Sequence, residues 1–225
     1  MSRALFLIII GLGGAAILVA LGVWQMQRLA WKQGVIADIN ARIVAASVAI
    51  PAQPDPTTDR FLPVEATGRF TGDTRRVLVS QKETGAGYRL ITVFETEDRR
   101  VLVDRGFVAS DDKGIATPHL QVTVQGNLQW PQEIDSFTPE PDRANNIWFA
   151  RDVPTLAAEL KTDPVLIVAR NVTNDDPVVT PLPVDTSRIP NNHLQYAITW
   201  FSLAAVWLAM SLLFLRRRRG QLPES

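Results

Sequence analysis

Near its C-terminus the chain places a histidine at the mouth of a long uncharged run. His193, Ala197, Trp200 and Ala204 fall at i, i+4, i+7 and i+11, which is one face of a helix. That face offers an imidazole, an indole and two small residues where a flat ring has room to lie. Imidazole is a common axial ligand of haem iron, and ionisable residues at membrane depth are candidates for function. A purely structural account fits the same residues. Asn192 followed three positions later by Gln195 resembles a capping box, Pro190 breaks the incoming chain, and His193 and Tyr196 become interfacial polar groups. His193 sits at the rim of the run and not at its middle, so on the residues alone the two accounts stand side by side.

The element that must position this histidine is a transmembrane helix over 192–215. Between Arg188 and Arg216 only His193 can carry charge near neutrality. The apolar body 194–215 can cross a bilayer core of ~30 Å at ~1.5 Å per residue. Arg216 to Arg219 then open a basic tail over 216–225. A second uncharged run, 4–27, is flanked by Arg3 and Arg28. It reads as an uncleaved anchor, because a cleaved signal would be shorter and would end in a small-residue cleavage site, not in VWQMQR. Its stretch IIIGLGGAA at 8–16 looks like the phosphate turn of a dinucleotide fold. That fold needs an acid ~20 residues on, where this chain has Arg28, Lys32 and no acid before Asp38. The small residues read better as a helix-packing face, with Gly11/Ala15 and Ala16/Ala20 as small-xxx-small pairs. Four adjacent arginines outweigh Arg28 and Lys32, so both termini are expected in the cytoplasm and the roughly 160 residues between the spans outside it.

Composition narrows the chemistry further. Setting aside Arg3, Arg216–Arg219 and Glu224 leaves 18 basic and 22 acidic residues between 28 and 188, a balance of −4. An acidic middle without a basic stripe argues for no nucleic acid partner. There is no cysteine, which excludes disulfides, iron–sulfur clusters, thiolate zinc sites and a cysteine nucleophile. With only His119 and His193, a multi-histidine metal site cannot be built within one chain.

The middle, 28–190, changes character along its length. Leu29, Trp31, Val35, Ile36, Ile39 and Ile43 recur at helical spacing, so the first helix continues or restarts here. Trp24 and Trp31 bracket the headgroup zone, where indole rings sit well. Three prolines at 51–56 mark a linker. Period-two patterning predicts strands over 64–70, 76–81, 88–95, 100–109 and 120–128, separated by turn chemistry at 71–73, 85–87, 97–98 and 111–114. A short helix has Asp152 or Val153 near its cap and Pro154 in its first turn, and 165–169 is a further strand. The residues 177–190 carry four prolines and return as an extended segment. The acid pairs Asp111/Asp112 and Asp175/Asp176 read as solvated turn charges, His119 as a surface histidine at a strand start, and the sequon at Asn171 as a turn. Ser80 and Ser110 have no histidine at a suggestive spacing, and no catalytic constellation stands out; the expectation is that the protein is not an enzyme. The predicted fold is an α+β membrane protein: two transmembrane helices flank a mainly antiparallel β periplasmic domain, a meander or partial barrel with short helices.

Three stretches together carry a family resemblance. LGVWQMQRLAWK at 21–32 is similar to L-G-x-W-Q-x-x-R-x-x-W-K, VLVDRGFV at 101–108 resembles an L-V-N-R-G-W-V strand, and PNNHLQYAITWF at 190–201 matches N-N-H-x-x-Y-A-x-T-W-F/Y. These are motifs of the Surfeit locus protein 1 family of cytochrome c oxidase assembly factors, and their order and two-span layout agree over essentially the whole chain. Asp104 and Phe107 replace the usual Asn and Trp of the central strand. The resemblance implies binding of haem a in the membrane and its insertion into the core subunit of a haem–copper oxidase. It implies His193 as the axial ligand of the haem iron and Trp200, on the same face, as its packing partner. A haem a synthase is a further expected partner, membrane lipid surrounds the spans, and the bacterial inner membrane with a periplasmic middle domain is the expected location. With that topology Trp24 and Gln25 end the first span where His193 and Tyr196 begin the second, so the two motifs frame one site. The alternative is a cofactor-free, membrane-anchored scaffold that holds an oxidase assembly intermediate through its periplasmic domain.

Overall fold

The computed structural model describes residues 3–82, 85–112, 115–118, 120–187 and 189–219. His119 lies outside them. The chain divides into two compact units: one formed by residues up to Asp38 and from Thr186 onward, the other by Ile39–Asp185.

The first unit is a pair of long helices. Helix α1 (Arg3–Ile43) runs without interruption, so the first helix continues past Arg28 and does not restart. At ~1.5 Å per residue its length is about 60 Å, roughly twice a bilayer core. Its C-terminal partner in this unit (His193–Arg219), α3 in chain order, starts where Pro190 stops constraining the backbone. Both helices are long and apolar enough to cross a membrane, and only 17% and 6% of their most apolar windows are buried. The core helix of a soluble protein would be mostly covered, whereas these present Leu, Ile, Val and Phe outward along their length.

The covered residues on α1 recur at alternating steps of four and three: Gly11, Ala15, Leu18, Gly22, Gln25, Leu29. On the C-terminal helix the matching stripe is His193, Ala197, Trp200, Ala204. This is the spacing by which two helices interdigitate at a shallow angle. The approach is close. A Cβ added at Gly22 would lie 2.5 Å from the Phe201 ring, and Trp207 Nε1 donates to the Gly11 carbonyl at 2.9 Å. Of the two small-residue pairs expected to pack, Gly11/Ala15 faces the other helix, while Ala16 and Ala20 are exposed.

The second unit is built on one six-stranded sheet. Its strands are β1 (Pro63–Gln81), β2 (Gly85–Glu95), β3 (Arg100–Ala109), β4 (Val122–Gln129), β5 (Ile147–Trp148) and β6 (Leu166–Val172), with helix α2 (Val153–Leu160) between the last two. The order β2-β3-β6-β4-β1-β5, together with a β1–β2 pairing, closes five strands into a ring. Strand β1 makes both seams: 63–68 pairs antiparallel with β4, and 69–81 with β2. The segment 71–73, expected as a turn between two strands, is instead an irregularity inside one long strand between Phe70 and Thr74. A bulge bends a strand without ending it, which is how one strand reaches both neighbours. A simple meander is also corrected, because β6 inserts between β3 and β4, parallel to the former and antiparallel to the latter. Asn171 belongs to β6 and is paired with Gln125, so the sequon is strand and not turn.

Alternation along these strands separates two cores. Val101, Val103, Ile167 and Ala169 join Val64, Phe70, Phe94, Val122, Val124 and Leu128 on one face. Leu102, Leu166 and Val168 point the other way, into a second cluster completed by Trp148 and by Val153, Leu156, Ala157 and Leu160 of α2. Strand β3 is thus covered on both sides, and 101–108 are all buried. Helix α2 begins after Asp152 with a proline in its first turn, as its sequence requires.

Candidate functional site

The expected site residues all lie in the helix pair. His193 is the first residue of its helix, and the Tyr196 amide already donates to the Asn192 carbonyl at 3.2 Å, so the imidazole leaves from an ordered first turn. Gln25 stands on the covered stripe of α1 and is 9% exposed. The two side chains meet: His193 Nδ1 and Gln25 Oε1 are 2.8 Å apart. An amide oxygen only accepts, so the imidazole donates. His193 itself is half-buried.

The other expected residues divide by face. Trp200 is half-buried on the stripe that faces α1, whereas Trp24 and Tyr196 are exposed beside Gln25 and one turn from His193. Ala197 and Ala204, read in the sequence as room for a flat ring, are 1% and 3% exposed. The contacts on either side of Ala197, His193 on Gln25 and Phe201 over Gly22, put α1 against it. The space is therefore occupied by helix packing, and the open aromatic surface near His193 is that of Trp24 and Tyr196. Two turns further along α1, the Arg28 guanidinium lies 4.0 Å from the centroid of the Trp31 ring, a cation–π pair.

A second concentration of polar groups sits inside the β unit, and the sequence did not assign it. Asp104 on β3 is fully buried and bonds to Arg89 of β2, and its Oδ2 also accepts from Arg151 Nη1 at 3.2 Å. Arg151 in turn grips Glu133, through Nη2 and with Nε at 3.1 Å, and its backbone N–H reaches the same carboxylate at 2.9 Å. Burial pushes the Glu133 carboxyl up, but the hydrogen bonds and charge of Arg151 outweigh it and hold it below the usual glutamate range. Burial likewise works against the charged form of Arg151, and Glu133 and Asp104 more than restore it. The neighbouring Arg105, 1% exposed, pairs with Asp175, donates to the Ala116 carbonyl at 2.9 Å and lies 5.2 Å from the Phe70 ring centroid. Asp175 is thus the partner of a buried arginine and not a solvated turn charge. Asp176 accepts from the amides of Val178 and Ala116, which lower its pKa.

These groups fasten the extended return segment. Arg89 reaches the Leu182 carbonyl at 3.3 Å, and Phe107 and Thr180 exchange backbone bonds of 2.7 and 2.9 Å. Gly106 makes room for that strand-like contact. Its φ is +130°, and an added Cβ would lie 2.2 Å from the Thr180 carbonyl oxygen. The motif at 101–108 is therefore a buried electrostatic clamp. Its one sequence signal was a pair of opposite charges inside an otherwise continuous apolar run; the charged partners lie from 15 to 70 residues away and share no local pattern with it. Among the described residues no group of three or more His, Asp or Glu is placed to hold a metal ion.

One family model spans both stretches of sequence. The model of the family described as "SURF1 family" matches residues 12–205, which takes in the helix stripes from Ala15 on, the clamp and the His193 turn. A SURF1-like protein of Rickettsia felis is 29% identical over 212 residues, 89% of this chain and 92% of that one. A SURF1-like protein of Monosiga brevicollis is 32% identical over 89% of this chain and 84% of its own. Surfeit locus protein 1 of Rattus norvegicus is 28% identical over 88% and 71%. With most of its length matched by the family model, the chain belongs to the SURF1 family.

Proposed function

We propose that the protein is a membrane-bound assembly factor for cytochrome c oxidase that holds haem a at His193 and hands it to the oxidase core subunit. The observation that carries this reading is the His193–Gln25 hydrogen bond between two long apolar helices. The donor set fits the cargo in one respect: Nδ1 is engaged, which leaves Nε2 as the nitrogen for an iron. When bound, the cargo would supply the iron centre, and one protein ligand with exposed aromatic neighbours suits a group that must be released again. Trp24 and Tyr196 offer ring surface beside that ligand, and Trp200 braces the helix that carries it. The four arginines at the end of the second apolar helix support a cytoplasmic C-terminus, with two passes of the bacterial inner membrane and the β unit in the periplasm. A haem a synthase is the partner that would load the site, and the reading requires no catalysis by this chain.

A pyridine-haemochrome spectrum of protein purified from cells that make haem a is the direct test. Stoichiometric haem a lost in His193→Ala is the expected result; equal haem content in both proteins would sink the ligand assignment. The scaffold alternative has its own observation. Ile134 and Phe137, the latter 89% exposed, project from the proline-rich loop after β4, where Asp135 and Thr138 bond one another and fix the turn. Haem-free protein that still co-purifies with the oxidase core subunit would favour it.

A further inference from the structure

We infer that Gln25 is a positioning residue: it fixes the tautomer of His193 so that Nε2, and not Nδ1, carries the lone pair. The inference rests on the haem-ligand reading of His193. A neutral imidazole has one N–H and one acceptor nitrogen, and the two tautomers differ little in energy in water. Here the partner decides. Gln25 Oε1 has lone pairs only, at 2.8 Å from Nδ1, so Nδ1 must bear the proton. Gln25 is nine-tenths buried on the packed stripe of α1, where water does not compete for that oxygen. The imidazole is thereby locked both in rotation and in protonation, with Nε2 as the free donor atom.

The identity of the acceptor matters as much as its place. Histidines that ligate metals donate their second N–H to an oxygen, and a carboxylate in that role raises the basicity of the ligand. An amide oxygen is uncharged and a weaker acceptor. It orients the ring without pushing it toward imidazolate, and it puts no charge between two apolar helices. A carrier needs such a ligand: oriented, neutral and easy to displace. Glutamine supplies orientation without added strength.

The proton can be located without any cargo. In full-length protein carrying His119→Gln, His193 is the one remaining histidine. Its 15N-labelled imidazole in detergent or nanodiscs, at a pH where the ring is neutral, is expected to show a protonated Nδ1 and a bare Nε2. The proton on Nε2 would overturn the inference. Gln25→Leu should scramble the tautomer and weaken haem a binding about 10- to 100-fold, the usual cost of losing a histidine's hydrogen-bond partner. Gln25→Glu keeps an acceptor and should retain the Nδ1 proton and tight binding, with a lowered haem midpoint potential. A merely structural contact would leave the tautomer unmoved in Gln25→Leu, or would leave Gln25→Glu as weak as Gln25→Leu; either outcome overturns the assignment. Haem binding that survives His193→Ala sinks the ligand reading beneath it, whereas loss in His193→Ala with none in Gln25→Leu sinks the role of Gln25 alone.

Discussion

Asn127 closes the C-terminus of α1: its Nδ2 donates at 2.9 Å to the carbonyl of Ile43, the last residue of the helix, and at 2.9 Å to that of Phe61. The asparagine is fully buried on β4, and the Arg170 guanidinium reaches the same Ile43 oxygen at 3.4 Å. The last carbonyl of the helix is therefore satisfied by the sheet. Asn127→Leu takes its donor from the Phe61 carbonyl and leaves that of Ile43 to Arg170 alone; it should cost about 1–3 kcal/mol, read as a lower denaturant midpoint. Asn127→Asp should be at least as harmful, since it sets a negative charge against carbonyl oxygens.

Removal of Asp104 leaves Arg89 and Arg151 without their shared carboxylate. Asp104→Ala should destabilise by about 3–5 kcal/mol, as expected when one partner of a buried pair is deleted. Asp104→Asn keeps an acceptor and should retain part of that loss. Chemical denaturation of the detergent-solubilised protein ranks the two, and equal stability of Asp104→Ala and the parent would refute the clamp.

The Glu133 carboxyl titrates below its ordinary value of 4.5 in the folded protein. A carboxyl depressed by folding contributes stability that is present above its unfolded pKa and is lost as pH falls through the lower, folded one. The parent should therefore weaken as pH drops below about 4.5, and Glu133→Gln should show a flatter acid limb. Thermal midpoints at pH 7, 5, 4 and 3, on the parent and the variant, give the comparison.

Gly22→Leu should abolish haem a binding without touching His193 or Gln25. The new side chain meets the Phe201 ring, so the helices must separate and the 2.8 Å bond between His193 and Gln25 is broken. Gly13→Leu is the control, since a Cβ there meets nothing within 4 Å. Absorbance of haem in the two purified variants decides the matter.

Local signals foretold local structure. Strand β3 was expected at 100–109 and is found at Arg100–Ala109, because an apolar run between charged turns leaves little choice. The two apolar helices, the strand over 88–95 and the Pro154 helix start were legible for the same reason, whereas 85–87, expected as a turn, are the first residues of β2. What escaped the sequence was settled at a distance. Thr71-Gly72-Asp73 has turn composition, yet β1 runs through it because 69–81 still pairs with β2. The insertion of β6 between β3 and β4 depends on which edges are free in space, which no local pattern encodes. Asp175 reads as an ordinary turn acid until Arg105, 70 residues earlier, is seen to lie against it. In the helix pair the spacing located the correct face, but small residues on a helix face mean close packing as readily as open room. Ala197 and Ala204 are filled by α1, and that could not be told from one helix alone.

The closed ring also dictates an order of events during synthesis. Strand β1 can zip onto β2 as soon as residue 95 has emerged, but its other seam, on β4, leaves the barrel open until β6 fills the place between β3 and β4. Long-range and parallel pairings form late, and this one cannot be complete before Val172 has been made. The final helix starts at His193, after a stretch about one extended segment long. Completion of the barrel and arrival of the second apolar helix are thus nearly simultaneous on the ribosome, and the histidine turn is among the last parts of the chain to find its place.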